Sequence, residues 1–178
     1  MKRKLTYYGN NVLRMKSEPV DAITDEIRDL VRDMIETMDD ADGLGLAAPQ
    51  VNVSLRVFIV RPYVVTEDGE IMVKDVKVFI NPKLSEPDEK MTRFDEGCLS
   101  IPKIYATVLR PQNVVIEAMD LDGNVFKENL SGIEARAVMH ENDHLNGVLF
   151  IDRLNPGKRK EIEPLLKKIK SGFKKKTM

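Results

Sequence analysis

Both histidines of this 178-residue chain lie within one short segment, His140-Glu141-Asn142-Asp143-His144. Residues four positions apart lie one turn apart on the same face of a helix, so both imidazoles can reach one metal ion. Glu141 follows the first histidine, where its carboxylate could take a proton from a water molecule in the same site. The segment therefore predicts a metal-binding helix, and two surface histidines on a helix are the alternative.

Three helices are predicted in all. The segment with the histidines is expected in a helix over residues 133–146, because Ser131-Gly132-Ile133-Glu134 has the form of a capping box and Gly147 suits the position after a helix end. Apolar residues recur with helical spacing between residues 27 and 38, which predicts an N-terminal helix. Thr24 is its expected N-cap, and the helix should end near residues 42–43. A third helix is predicted over residues 161–170.

The strand patterns lie between these helices. Residues 55–60 and 71–80 are predicted strands joined through Glu67-Asp68-Gly69. The dipeptide Asp122-Gly123 predicts a hairpin between strands 113–121 and 124–130. We expect an α+β fold in which antiparallel sheets and hairpins pack around the histidine-bearing helix, with one helix towards each end of the chain.

A tetrahedral site needs a third protein ligand, and two candidates remain open at this point. The first is Cys98, the single cysteine, which follows Gly97. A lone cysteine is more often a small buried apolar residue, but a bound metal would hold it as thiolate. The second is a downstream glutamate, Glu161 or Glu163, as in zincin-type metallopeptidases. Those glutamates lie in a lysine-rich segment, whose positive charge disfavours a divalent cation.

A glycine-rich segment, Asp42-Gly43-Leu44-Gly45-Leu46-Ala47-Ala48-Pro49-Gln50, formally matches the fingerprint of dinucleotide-binding folds. That fingerprint requires a strand before it and a helix after it. Here a predicted helix precedes the segment, and Pro49 follows almost at once. We therefore interpret it as backbone left open beside a cleft, with Gln50 as an amide donor.

The composition excludes several classes of protein. With 42% hydrophobic and 32% charged residues, the chain is not collagen-like, not a disordered acidic activator and not a disulfide scaffold. One cysteine cannot form an internal disulfide, which favours a reducing, cytoplasmic setting. No stretch approaches the ~20 apolar residues of a membrane span, so no membrane partner is expected.

Charge is unevenly distributed along the chain. Residues 157–178 hold nine Lys and Arg against two Glu, a net charge of +7, and the preceding residues carry 19 basic and 27 acidic side chains, a net charge of −8. An acidic body with a basic end favours a partner that bears phosphates. A solvated C-terminal helix is the alternative.

Three segments together resemble the signature motifs of one family, the peptide deformylases. The motifs are, in order, Gly43-Leu44-Gly45-Leu46-Ala47-Ala48-Pro49-Gln50, Glu96-Gly97-Cys98-Leu99-Ser100 and His140-Glu141-Asn142-Asp143-His144-Leu145. The resemblance extends from Tyr7 to Arg153, nearly the whole chain. It implies a single catalytic domain over residues 1–156, with 157–178 as its basic C-terminal helix. It also implies removal of the formyl group from the N-terminal formyl-methionine of new polypeptides, with release of formate.

The resemblance implies a role for each motif. Cys98, His140 and His144 would hold one divalent ion, Fe²⁺ in the cell, for which Zn²⁺, Ni²⁺ or Co²⁺ can substitute. Glu141 would act first as base and then as acid. The side-chain amide of Gln50 and the backbone N–H of Leu99 would face the formyl oxygen as negative charge develops there.

The same resemblance places the substrate as a short extended strand near Gly45 and Gly97. Leu44 and Ile133 are expected to line the pocket for the methionine side chain, with Ala137 keeping it open. Ile133 and Ala137 could equally be core residues of the helix. Glu96 and Arg110 are expected to pair across the rim of the pocket.

The sequence departs from the family's pattern at two positions, and two rival functions stay open. Asn52 and Lys103 stand where the family commonly has glycine, and Lys103 puts the peptide preference beyond the first residue in doubt. The rivals are a zincin-type metallopeptidase and an inactive deformylase-like protein that binds RNA or ribosomes. The expected partners are formyl-methionyl nascent polypeptides, with the ribosome contacted by the basic end, and no DNA.

Overall fold

A computed structural model describes the backbone of residues 1–176 and the side chains of residues 1–172. Within this part of the chain the helices are α1 (Asp25–Asp40), α2 (Gly132–Leu145) and α3 (Pro156–Lys176). The strands are β1 (Gly45–Ala47), β2 (Val57–Val60), β3 (Tyr63–Val65), β4 (Ile71–Val73), β5 (Lys77–Ser85), β6 (Met91–Cys98), β7 (Ile101–Pro111), β8 (Asn113–Met119) and β9 (Val125–Ser131). No helix among these residues is both long enough and apolar enough to cross a membrane.

The strands form three antiparallel sheets. Five of them make one sheet in the order β1-β2-β5-β8-β9, while β3 pairs with β4 and β6 pairs with β7. Strand β1 is therefore at the edge of the large sheet, with one side unpaired. The α+β class with antiparallel hairpins is confirmed, and the Asp122-Gly123 turn joins β8 and β9 as predicted.

Each helix contributes its apolar side chains to its own part of the core. The buried face of α1 packs against β1 and β2. Helix α2 packs Ala135 and Val138 against Phe58 and Phe79 of the large sheet, whose rings stack 4.8 Å apart. The basic helix α3 buries Ile162 and Leu166 against the N-terminal segment and β7. Because α2 lies between sheets, its polar positions are enclosed by protein as well.

Two local predictions were wrong. The predicted strand 71–80 is two strands in different sheets, because Lys74 N–H donates to the Pro62 carbonyl (2.8 Å) and closes the β3–β4 ribbon, after which β5 pairs with β2. The predicted capping box at Ser131 is absent, since that side chain makes no capping hydrogen bond. Strand β9 runs directly into α2, and Gly132 makes the turn with a φ of 57°.

The β6–β7 hairpin is irregular where it reaches the cleft. Cys98 pairs with Ile101 and Glu96 pairs with Ala106, so Gly97 alone lies opposite residues 102–105. Lys103 takes up this bulge with a φ of 63°. Asn52 also has a φ of 63°. Both positions at which the sequence departs from an expected glycine therefore have left-handed backbone, a conformation that glycine adopts without steric cost.

This backbone conformation makes a prediction about stability. Lys103→Gly should be more stable than Lys103→Ala by about 1 kcal/mol, because only the alanine keeps a Cβ in a left-handed conformation. The measurement is the free energy of unfolding in denaturant. At Val125, an exposed residue of β9, the order should reverse, with alanine more stable than glycine by about 0.5–1 kcal/mol. Equal stability of the two variants at position 103 would contradict the prediction.

Candidate metal centre

Three potential ligand side chains converge at the bottom of the cleft. His140 and His144 lie on successive turns of α2, and Cys98 is the last residue of β6. Their ligand atoms all lie within 4.8 Å of one another, and Cys98 Sγ is 3.3 Å from His144 Nε2. Two imidazoles and one thiol suit zinc and other borderline divalent ions. The donor set therefore fits one divalent metal ion.

The two glutamates of α3 that a zincin-type site would use as a third ligand are paired with basic side chains of their own helix. Glu161 pairs with Lys158 and Glu163 with Arg159, each at 2.7 Å along their own helix. Among residues with described side chains, Cys98, His140 and His144 form the group whose geometry suits a metal ion. The structure thus brings the cysteine, and not a downstream glutamate, to the two histidines.

A buried carboxylate orients the first histidine. Glu96 Oε2 lies 2.9 Å from His140 Nδ1, so the other ring nitrogen is left for the metal site. Arg110 donates to both oxygens of Glu96, at 2.6 and 2.8 Å, and Arg136 donates to Oε1 at 2.7 Å. Burial opposes ionisation of Glu96, but the bonds from Arg110 and His140 outweigh it and hold its pKa well below the usual range.

The same arginine extends the network to the other end of the site. Arg110 is 1% exposed and donates to Asp143 Oδ2 at 2.8 Å, while Arg153 donates to both oxygens of Asp143 at 2.6 and 2.5 Å. Glu96 and Arg110 do pair, as expected, but their placement on the pocket rim was wrong. The pair lies beneath the cleft, because alternate residues of β7 point inward and Arg110 is one of them.

The two histidines have different electrostatic surroundings. Burial opposes charge on His140, but its hydrogen bonds to Cys98 and Glu96 outweigh burial and raise its pKa well above the ordinary value. Burial lowers the pKa of His144 well below that value, and its Nδ1 has no hydrogen-bond partner among the described residues. Within the described part of the chain, therefore, His140 and not His144 has a carboxylate partner to set its orientation.

Glu141 lies in the same wall of the cleft. Its Oε2 atom is buried and has no hydrogen-bond partner in the described part of the chain, and burial raises its pKa to about 7. A Cβ atom at Gly45 would collide with this carboxylate, so the glycine makes room for it. An orphaned buried carboxylate beside three metal-ligand atoms is placed to exchange a proton with a small polar molecule entering the site.

Gln50 is held in one orientation by its own turn. Its Oε1 accepts a hydrogen bond from the Ala47 N–H at 2.8 Å, so its Nε2 is left to face Cys98 Sγ (3.5 Å) and Ser100 Oγ (3.3 Å). Leu99 follows Cys98 in the two-residue connection between β6 and β7 and also lines the cleft. Both predicted donors thus lie beside the cysteine.

A cavity of about 490 Å³ opens over these groups. The residues predicted to bind substrate all line it: Leu44, Gly45, Gly97 and Ile133, together with Ala137. Lining residues that the sequence reasoning missed include Tyr63, Phe94, Tyr105 and Arg136. Helical spacing could have found one of them, since Arg136 lies one turn before His140. The others depend on how distant strands pack together.

Comparisons with known proteins agree with this arrangement. The sequence model of the polypeptide deformylase family matches residues 2–160. The peptide deformylase of Cellvibrio japonicus is 46% identical over 163 residues, 91% of this chain and 92% of that protein, and that of Afipia carboxidovorans is 47% identical over 160 residues, 90% and 91% of the two chains. Among solved structures, a plant peptide deformylase superposes with a TM-score of 0.89 at 38% identity, covering 98% of this chain and 92% of that one. A Legionella pneumophila peptide deformylase gives 0.83 at 37% identity and covers 96% of both chains.

The buried network predicts that replacing Arg110 lowers the free energy of unfolding more than replacing an exposed arginine does. Arg110→Met should lower the free energy of unfolding by about 3–5 kcal/mol, because it leaves Glu96 and Asp143 buried with fewer partners. Arg32→Met removes an exposed ion pair with Asp29 on α1 and should cost less than about 1 kcal/mol. Both are measured by chemical denaturation. A loss for Arg110→Met no larger than that for Arg32→Met would contradict the role assigned to the network.

Proposed function

Since this chain belongs to the polypeptide deformylase family, we propose how its residues perform the family's reaction. The protein is a metal-dependent hydrolase that removes the formyl group from the N-terminus of formyl-methionyl nascent polypeptides and releases formate. The observation that carries the assignment of residues is the convergence of Cys98, His140 and His144 beside the unpartnered carboxylate of Glu141. This complete set of ligands and base also argues against the inactive alternative.

We assign Cys98, His140 and His144 as the protein ligands of one divalent ion. When bound, that ion supplies Lewis acidity, which lowers the pKa of water and polarises a carbonyl oxygen. Mixed imidazole and thiolate sites accept several divalent metals, so affinity alone does not select one. We propose Fe²⁺ in the cell, with Zn²⁺, Ni²⁺ or Co²⁺ able to substitute.

Glu141 moves the proton. Water attacks the formyl carbon and loses a proton to the Glu141 carboxylate; the C–N bond then breaks, and Glu141 gives the proton to the departing amine. Formate and a free N-terminal amine result. Negative charge develops on the formyl oxygen during the attack, and the amide of Gln50 and the backbone N–H of Leu99 stabilise it. The hydrogen bond from Ala47 to Gln50 holds that amide in place before substrate arrives.

The substrate backbone lies between two glycines. The unpaired edge of β1, which begins at Gly45, offers backbone groups to an extended peptide. At Gly97 a Cβ atom would lie 2.5 Å from the exposed Tyr105 ring, so a larger residue there would have to displace that ring. Leu44 and Ile133 supply apolar surface for the methionine side chain. The pocket is thus formed by residues from an edge strand, a bulged hairpin and the first turn of α2.

The assignment predicts that replacing the base and replacing a metal ligand have different effects on metal binding. Glu141→Gln should lower kcat by about 10²–10⁴-fold with metal still bound, because it removes proton transfer alone. Cys98→Ser, His140→Ala and His144→Ala should lose the metal together with activity. Proteins purified without oxygen are assayed for formate released from formyl-Met-Ala-Ser and analysed for bound metal, which also identifies the ion. Glu134→Gln, on the same helix, is the control, and equal metal loss in all four site variants would refute the division of roles.

We further propose that the exposed lysines of α3 contact ribosomal RNA, which would place the enzyme in the cytoplasm where its substrates are made. Lys160, Lys167 and Lys168 are exposed, while Ile162 and Leu166 of the same helix are buried against the domain. The helix is thus attached by its apolar face and presents positive charge outward. Lys174, Lys175 and Lys176 also belong to the basic segment, but their side chains lie outside the described residues.

This docking proposal predicts salt-sensitive ribosome binding. A variant with Lys160, Lys167 and Lys168 changed to Gln should cosediment less with ribosomes at low salt, since each lost phosphate contact weakens binding. Turnover of short formyl peptides should not change. The matched control neutralises three exposed lysines of the body, Lys16, Lys83 and Lys90. Removing the whole helix by truncation after Pro156 is unsuitable as a test of docking, because it would also remove Ile162 and Leu166 from the core. Unchanged cosedimentation of the α3 variant would overturn the proposal.

A further inference from the structure

The β3–β4 ribbon projects from the edge of the substrate cleft. Strand β2 pairs its last residue, Val60, with Gly45, and the next residue, Arg61, donates its N–H to the Leu44 carbonyl at 2.8 Å. The chain then enters β3 at once. At the far end of the ribbon the Thr66 N–H donates to the Glu70 carbonyl at 2.9 Å. The ribbon therefore begins beside the segment that we assign to the substrate backbone.

One face of this ribbon continues the cleft. Residues directly opposite one another in an antiparallel pair share a face, and so do residues two apart on one strand. Tyr63 pairs with Val73 and Val65 with Ile71, so these four side chains form one strip, which we call the cleft-side face. Tyr63 lines the cavity, while Val65, Ile71 and Val73 are 59%, 67% and 56% exposed. An uncharged strip thus leads away from the cavity.

Such exposure is unfavourable unless something covers it. A short two-stranded ribbon that faces water ordinarily carries polar side chains. Contiguous apolar surface on such a ribbon therefore usually marks a binding site. The ribbon tip carries three acidic residues, Glu67, Asp68 and Glu70. Their negative charge would repel RNA or an anionic membrane. A polypeptide is the partner that avoids this repulsion, and the cleft already binds one.

The geometry points to the substrate itself as the occupant. An extended peptide advances about 3.3 Å per residue, so a chain whose first residue fills the methionine pocket reaches past the cavity after about three residues. We infer that the cleft-side face binds residues four to seven of the nascent polypeptide and favours apolar side chains there. This inference rests on the proposed function, because the deformylase reaction fixes where the peptide begins.

The test compares three substrates: formyl-Met-Ala-Ser, an octapeptide that continues it with Val and Leu at positions four to seven, and one that continues it with Ser and Gln. For the unmodified enzyme, kcat/KM should be about fivefold higher for the apolar octapeptide than for the polar one, the effect of burying one or two partly exposed side chains. The preference should appear in KM. The double variant Val65→Ser/Ile71→Ser should abolish it and leave turnover of the tripeptide unchanged.

The opposite face of the ribbon provides a matched control. Val64 and Met72 pair with each other and are 38% and 56% exposed. Val64→Ser/Met72→Ser removes comparable apolar surface and should retain the fivefold preference. Equal loss in both double variants, or no preference in the unmodified enzyme, would overturn the inference. So would a change of oligomeric state in Val65→Ser/Ile71→Ser, which would identify a second copy as the occupant. Failure to hydrolyse the tripeptide would instead refute the proposed function.

Discussion

The arrangement of the candidate metal centre depends on the two ion pairs that the Arg110 guanidinium makes. Buried within the domain, this guanidinium binds Glu96 on one side and Asp143 on the other. Glu96 is the partner of His140, and Asp143 directly precedes His144 in α2. The Arg110 guanidinium thus links the hairpin that carries the cysteine to the helix that carries both histidines. The large desolvation cost of burying these charges is offset only when every partner is in place, which favours a single arrangement of the ligands.

Around this network, irregular backbone brings reactive groups to the cleft. The bulge opposite Gly97 ends the regular pairing of β6 and β7 just before Cys98, and the edge strand β1 begins at Gly45, directly against the Glu141 carboxylate. Regular strands would continue their hydrogen bonds to each other and leave none for a peptide. The left-handed residue Lys103 and the absence of a side chain at Gly45 are therefore conditions for an open cleft.

In the proposed function, hydrolysis of the formyl group and binding of the rest of the polypeptide use different parts of the molecule. Of the groups proposed to carry out hydrolysis, Gln50, Cys98, Leu99, His140 and Glu141 line one small cavity. A nascent polypeptide is much longer than that cavity. Its later residues must pass over surface that takes no part in the reaction, and we propose the apolar ribbon, which begins beside the cleft, for this role. The basic helix α3 is suited to anchoring on phosphate, since Ile162 and Leu166 attach it to the core while its exposed lysines face outward.

Local sequence determined much of this protein. The four-residue spacing of His140 and His144, the helical period before Met38 and the Asp122-Gly123 turn act over a few residues, so they specify their structures without knowledge of the remainder. The resemblance to a family then indicated Cys98 as the third ligand. Only the tertiary structure showed that residues 71–80 divide between two sheets and that Arg110 lies beneath the site. Those outcomes depend on contacts between residues far apart in sequence, which are decided by how the whole chain buries its apolar surface and pairs its buried charges.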